Sequence, residues 1–183
     1  NTGLYRIDDT ESLTKKTTIT SLGGGSGVFG DPIIIKTADD LKNFSKLVNN
    51  GTINTAAMYF RLAPEGGTLD CSGLSESEYK PIGSGSQPFK GTFSGNGCTI
   101  SNLIAYEGGL FGNISGATIE DLNLSNCTIA GNDYCIAGLA TDASNGSTIN
   151  LCTITNSTIE CLSNQYNPTM GGIVARLSGS ETT

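Results

Sequence analysis

Histidine and tryptophan are absent from this chain of 183 residues. Without an imidazole, Ser-His-Asp and Cys-His nucleophilic machinery cannot be assembled here, and the commonest metal ligand is lost with it. Charge is scarce: only 15% of residues are Asp, Glu, Lys or Arg. From Gly91 to Ala175 there is no Lys or Arg at all, which leaves Lys90 and Arg176 at the margins of that stretch. The 17 Asp+Glu outweigh the 10 Lys+Arg, for a net charge of −7. That sign repels phosphate backbones and anionic headgroups, so nucleic acid and membrane surfaces are not expected partners. No apolar run approaches the roughly 20 residues that span a bilayer, so no membrane insertion is expected. The N-terminus also lacks the basic-then-apolar layout of a signal peptide. A secreted or cell-surface location is expected from the composition, with signal and anchor outside this sequence. The ending Gly171-Gly-Ile-Val-Ala-Arg-Leu-Ser-Gly-Ser-Glu-Thr-Thr183 stops where a repeat would begin its next strand, and reads as part of a longer polypeptide.

Six cysteines are present, with no Cys-x-x-Cys pair. With no histidine beside them, a zinc site is not expected. Cys98 and Cys152 read as small buried hydrophobes. Cys135 and Cys161 follow strand-like segments of successive repeats, so a bridge between them is an option that the sequence does not demand.

What the chain has instead is glycine, 25 of them, and internal repetition. Gly97-Cys-Thr-Ile-Ser-Asn-Leu103, Gly116-Ala-Thr-Ile-Glu-Asp-Leu122 and Gly146-Ser-Thr-Ile-Asn-Leu-Cys152 align. A second signature recurs at Gly108-Gly-Leu-Phe-Gly112, Ala137-Gly-Leu-Ala140 and Gly171-Gly-Ile-Val174. Short alternating runs such as Leu122-Asn-Leu124 put aliphatics on one face and polar groups on the other. Glycine and asparagine between them permit the positive φ of tight corners. The fold expected is all-β: a right-handed parallel β-helix, an irregular solenoid with a short N-terminal capping helix. One coil cannot bury its aliphatic face alone, whereas stacked coils share a core. The alignment predicts three interior ladders: Ile100, Ile119 and Ile149; Leu103, Leu122 and Cys152; Ala105, Leu124 and Ile154. A β-sandwich with coincidental repetition is the alternative, and it should show hairpins.

The expected organisation is a leader or strand pair over 1–30, a capping helix with entering strands over 31–88, and repeat coils over 89–183, truncated at the C-terminus. Thr37-Ala-Asp-Asp40 is a capping-box-like start. Leu41, Phe44, Leu47 and Val48 follow at helical spacing, and Asn50-Gly51 stops the element. Met58–Leu62 and Thr68–Cys71 read as strands, Ser72–Ser86 as linker-like, and Gly23-Gly-Gly-Ser-Gly27 as a flexible linker without the Gly-Lys-Ser/Thr ending of a phosphate loop.

Tyr79-Lys-Pro-Ile-Gly83, Phe89-Lys-Gly-Thr-Phe-Ser-Gly-Asn-Gly97 and Thr99-Ile-Ser-Asn-Leu103, followed by the Gly-Leu-Phe-Gly and Gly-Gly-Ile-Val units, resemble the GLUG-type repeat family of bacterial cell-surface and adhesin-like proteins. The resemblance covers about residues 33–175. Ser94 stands where that pattern has Asp, and Cys98 where it has His. It implies a secreted or surface repeat architecture and transfers no catalytic residue.

Glycoside hydrolysis needs two carboxyl groups facing one cleft. Glu120, Asp121, Asp133, Asp142 and Glu160 form no evident pair, and no catalytic residue is assigned. A Ca²⁺ site from Asp133, Asp142 or loop carbonyls matches no EF-hand or nonapeptide pattern, so neither a metal nor a cofactor is expected. Tyr106, Tyr134 and Tyr166 fall between strands of successive coils, with Asp133 and Gln165 beside them. They form the candidate binding edge, for a host or cell-surface glycan or protein; the competing reading is aromatics covering coil corners. The favoured function is a non-catalytic surface or secreted module for adhesion or ligand display. The alternatives are a carbohydrate-active β-helix enzyme and an accessory domain of a larger secreted protease.

Overall fold

The computed structural model describes residues 22–132, 135–162 and 168–179. Short strands wind repeatedly past the same faces and pair in parallel with the strands of neighbouring coils. The first face holds β1 (Ile33–Ile35), β2 (Tyr59–Leu62), β4 (Thr92–Ser94), β8 (Thr118–Glu120) and β13 (Thr148–Asn150), in that spatial order. The second holds β3 (Thr68–Asp70), β5 (Thr99–Ser101), β9 (Asn123–Ser125) and β14 (Thr153–Thr155). The third holds β6 (Ile104–Tyr106), β10 (Thr128–Gly131) and β15 (Thr158–Cys161). The fourth holds β7 (Phe111–Ser115), β12 (Ala140–Ser144) and β17 (Val174–Ser178), beside the pair β11 (Cys135–Ala137) and β16 (Thr169–Gly171). Every strand ladder is parallel, and the one antiparallel contact among the described residues is the isolated bridge Val28–Asp31. The chain is therefore an all-β parallel solenoid rather than a sandwich.

Alternation within the short strands sends every second residue inward (the middle one in β3, β4, β5, β8 and β9, the outer two in β1), so stacking coils builds continuous apolar rows. Ile33, Phe60, Phe93, Ile119 and Ile149 form the row of the first face. Leu69, Ile100, Leu124 and Ile154 form the second. Ala105, Ile129 and Ile159 form the third. The predicted ladders hold between the last two coils: Ile119 over Ile149, Leu122 beside Cys152, Leu124 over Ile154. Their first members are misplaced by one face. Ile100 stacks on Leu124, Leu103 adjoins Cys127, and Ala105 stacks on Ile129. The cause is that Thr-Ile opens strands on three faces (Thr118 and Thr148, Thr99 and Thr153, Thr128 and Thr158), so the dipeptide marks a strand but not which one.

The corners are made by residues with left-handed backbone. Between the second and third faces an asparagine takes this role in each coil: Asn102, Asn126 and Asn156, with φ of 56°, 55° and 50°. Asparagine tolerates that conformation better than other non-glycine side chains. Between the first and second faces the equivalents are Asn96, Asp121 and Leu151, at 54°, 52° and 51°.

Helix α1 (Ala38–Asn49) forms as the sequence predicts. Thr37 accepts from the Asp40 N–H at 3.1 Å, and the Asp40 carboxylate accepts from the Thr37 N–H at 3.0 Å. Asn50 ends it. Phe44 is fully buried against Phe60, with ring centroids 4.5 Å apart, and 6.1 Å from both Phe89 and Phe93. The strands read from Met58–Leu62 and Thr68–Cys71 are β2 and β3.

Two expectations fail. Ser72–Ser86 is not a loose linker. Its Tyr79 is fully buried and donates to the Leu110 carbonyl at 2.6 Å, and Ile82 bridges Phe111 in parallel. Gly23–Gly27 is no flexible linker either. The Gly23 N–H donates to the Ile34 carbonyl at 2.8 Å, and a Cβ on Gly25 would lie 1.9 Å from the Pro32 oxygen. Glycine is there to let two backbones meet, so its abundance signals close approach rather than looseness.

Candidate binding surfaces

On three faces one outward position stacks into a neutral, largely polar row. Thr92, Thr118 and Thr148 line up on the first face; Thr68, Thr99, Asn123 and Thr153 on the second; Thr128 and Thr158 on the third. Neighbouring coils also bond side chain to side chain, on these rows and beside the fourth face. The Thr153 hydroxyl donates to the Asn123 amide oxygen at 2.5 Å, and the Asn145 side-chain N–H donates to the Ser115 hydroxyl at 2.8 Å.

Of the residues proposed from sequence, Tyr106 is half-buried at the end of β6, in register with Ala130 and, one coil further, Glu160. Asp133, Tyr134, Gln165 and Tyr166 lie outside the described residues. The remaining carboxylates take different stations. Glu120 shares a row with Ser94 and Asn150, Asp121 sits at a corner, Glu160 is on the third face and Asp142 on the fourth. Asp142 is nearly buried and is engaged by Arg176, whose Nε–H donates at 3.0 Å and whose Nη2 makes the second contact, while the Asn113 amide lies 3.5 Å away. The Asp142 oxygens thus serve a cation on the next coil. The same pairing raises the Arg176 pKa. Among the described residues, no three His, Cys, Asp or Glu are grouped to hold a metal ion.

The thiols are built for packing. Burial pushes the Cys71 thiol up to about 12, and raises Cys98, Cys127 and Cys152 as well. A raised pKa leaves little thiolate at neutral pH, so none of these is an activated nucleophile. Cys98 is buried and Cys152 half-buried. Cys135 carries a free thiol, so the bridge to Cys161 is not formed.

A feature that sequence reasoning missed is a cleft of about 240 Å³ between the segment after α1 and the approach to β4. Val48, Ile53 and Thr55 line one side, Gln87 and Lys90 the other. The signal available in the sequence was Lys90 itself, the last cation before the long uncharged-or-acidic stretch. Nothing local foretold that Thr55 would meet it.

Comparison with known proteins places these surfaces in context. Residues 66–155, from β3 through β14, match the family model described as the M26 IgA1-specific metallo-endopeptidase N-terminal region. Halomucin of Haloquadratum walsbyi is 30% identical over 175 residues, an alignment covering 88% of this chain and 2% of halomucin. The chain thus spans about 2% of the length of that curated relative. No solved structure matches. Both similarities fit a secreted or surface module. The metallo-endopeptidase match is to an N-terminal region, so it carries no catalytic residue to this chain.

Proposed function

We propose that this chain is a non-catalytic module of a longer secreted or cell-surface polypeptide, whose coils display ligand-binding side chains and loops. The observation that carries the reading is the in-register stacking of coils with neutral Thr, Ser and Asn rows outward. Such faces stay soluble without strong charge and offer hydrogen bonds to glycan or protein. The resemblance of residues 79–103 to GLUG-type repeats supports an adhesin-like setting. We take the solenoid to be right-handed, the hand that parallel crossovers overwhelmingly adopt. α1, through Phe44 on Phe60, Phe89 and Phe93, serves in this reading as the N-terminal cap. The test is a glycan and host-protein array on the folded chain, run beside incubation with acidic and neutral polysaccharides. Binding without new reducing ends or unsaturated products is expected. Turnover would replace the reading with a carbohydrate-active enzyme, and silence on the array would remove adhesion.

A second reading, an accessory domain of a larger secreted protease, is favoured by the match of residues 66–155. It requires a metal-binding His/Glu motif elsewhere in the full polypeptide, which its complete sequence would reveal or refute.

A further inference from the structure

We propose that the cleft between α1 and β4 is a binding site for one sugar residue that bears a carboxylate. The site lies apart from the coil faces, and it stands or falls independently of whether those faces mediate adhesion.

The cleft is framed rigidly. The Asn49 side chain donates to the Pro81 carbonyl at 2.9 Å and accepts from the Gly83 N–H at 2.8 Å, tying the end of α1 to the segment that leads into the opposite wall. The Thr55 hydroxyl accepts from the Lys90 N–H at 2.9 Å, which ties the two walls at the other end. The Ser84 N–H donates to the Gln87 carbonyl at 3.0 Å and holds the turn between them. A site fixed in this way needs little ordering when a ligand arrives.

Its chemistry is that of a sugar site. Val48 and Ile53 lie buried beneath the cleft, and the groups that its surface presents are mainly polar. Asn54, Thr55, Ser86 and Gln87 supply neutral hydrogen-bonding groups around it. The Asn54 Oδ1 accepts from the Ala56 N–H at 3.1 Å, which leaves its NH₂ group to donate outward. The hydroxyls of a pyranose pair with neutral donors and acceptors of this kind. The volume of about 240 Å³ is below the ~300 Å³ at which drug-sized pockets begin, so one ring fits rather than a chain.

The carboxylate follows from Lys90. In a chain with 17 acidic against 10 basic residues, the lining of this cleft holds a lysine and no Asp or Glu. The ion pairs among the described residues engage Lys42, Lys80 and Arg176, and Lys90 is in none of them. The C-terminal carbonyls of α1, which would oppose an anion, are partly satisfied by the Asn50 and Gly51 N–H groups. One ammonium amid neutral groups suits a single carboxylate. A phosphate would call for the arginine forks or helix N-terminus that this cleft lacks.

The test is an NMR titration of the folded chain with methyl glucuronide, methyl glucoside and acetate, with a methyl sialoside as a second carboxylate-bearing ring. Saturable shifts at the Asn54, Gln87 and Lys90 amides are expected with either acidic sugar, at least about tenfold tighter than with the glucoside. Lys90→Gln should reduce the acidic sugar to the glucoside level with the rest of the spectrum unchanged, and Asn54→Ala should weaken both. Lys46→Gln, outside the cleft, should leave binding unchanged. Equal affinity for glucoside and glucuronide, equal shifts with acetate, a Lys90→Gln variant that binds like the parent, or no saturable shift would each overturn the proposal. On the glycan array, signals that survive Lys90→Gln belong to the coil faces, which separates failure of this site from failure of the display reading.

Discussion

Leu151 occupies a corner where its counterparts in the two preceding coils are Asn96 and Asp121, and it adopts the same left-handed backbone, with φ of 51°. A β-carbon in that conformation crowds the following carbonyl, at about 1–2 kcal/mol, and asparagine recovers much of this by local hydrogen bonding. Leu151 gains little in return, since it is 72% exposed. The quarter of its surface that is covered is worth roughly 0.5 kcal/mol at the usual burial value for leucine. Leu151→Asn should therefore stabilise the protein by about 0.5–1 kcal/mol. Leu151→Gly relieves the same strain but gives back roughly 0.5–1 kcal/mol in unfolded-chain entropy, and should be close to neutral. Leu151→Ala keeps the strain and loses the contact, and should be the least stable. Urea unfolding with an unchanged m-value is the assay, and a gain of about 0.3–0.5 M in midpoint is expected for the asparagine variant. Because end coils of a solenoid can open on their own, hydrogen exchange at the Thr153 amide, which donates to the Leu122 carbonyl at 3.0 Å, reads the same effect locally. An alanine variant as stable as the asparagine variant would refute the strain argument. So would an asparagine variant less stable than the parent.

Phe44→Ala empties the space among Phe60, Phe89 and Phe93 and should cost about 3–5 kcal/mol, seen as a fall in Tm of roughly 10 °C. Glu78 accepts from the Ser75 N–H and hydroxyl and pairs with Lys42, which holds its pKa at about 2 rather than 4.5. A depressed carboxylate stabilises the folded state above its unfolded pKa and loses that contribution as pH falls from about 4.5 toward 2. Glu78→Gln should flatten the acid limb of the stability profile in that window; an unaltered limb would show the pairing to be idle. Cys71, buried and with its pKa raised to about 12, should resist alkylation in the native protein at pH 8 and react at once in urea, as mass spectrometry would show. Rapid native labelling would contradict its placement in the core.

The helix was legible down to its cap because its signals are local. Thr37, Asp40 and the Leu41, Phe44, Val48 stripe act within a few residues of one another. The parallel stacking was legible because repetition and alternation jointly leave one way to bury the aliphatics. The register of the first repeat was not. A Thr-Ile that opens β5 reads the same as one that opens β8, and only the coil beneath decides which face each occupies. The buried Tyr79 was hidden in a stretch rich in Ser and Glu, since its hydrogen bond reaches Leu110 across 31 residues. The cleft was illegible for the same reason, because its walls are 35 residues apart in sequence where Thr55 meets Lys90.

The corners differ in how much chain they use. From the second face to the third, the interior residues Ile100 and Ala105, Leu124 and Ile129, and Ile154 and Ile159 are each five apart. From the third face to the fourth, the step from Ala105 to Phe111 is six residues, from Ile129 to Ala140 eleven, and from Ile159 to Val174 fifteen. One edge is thus a fixed spine, held at each turn by an asparagine, while the opposite side lengthens coil by coil at no cost to the rows inside. A lineage could rewrite what this protein touches by adding residues on that side alone, because the spine keeps the register whatever is inserted.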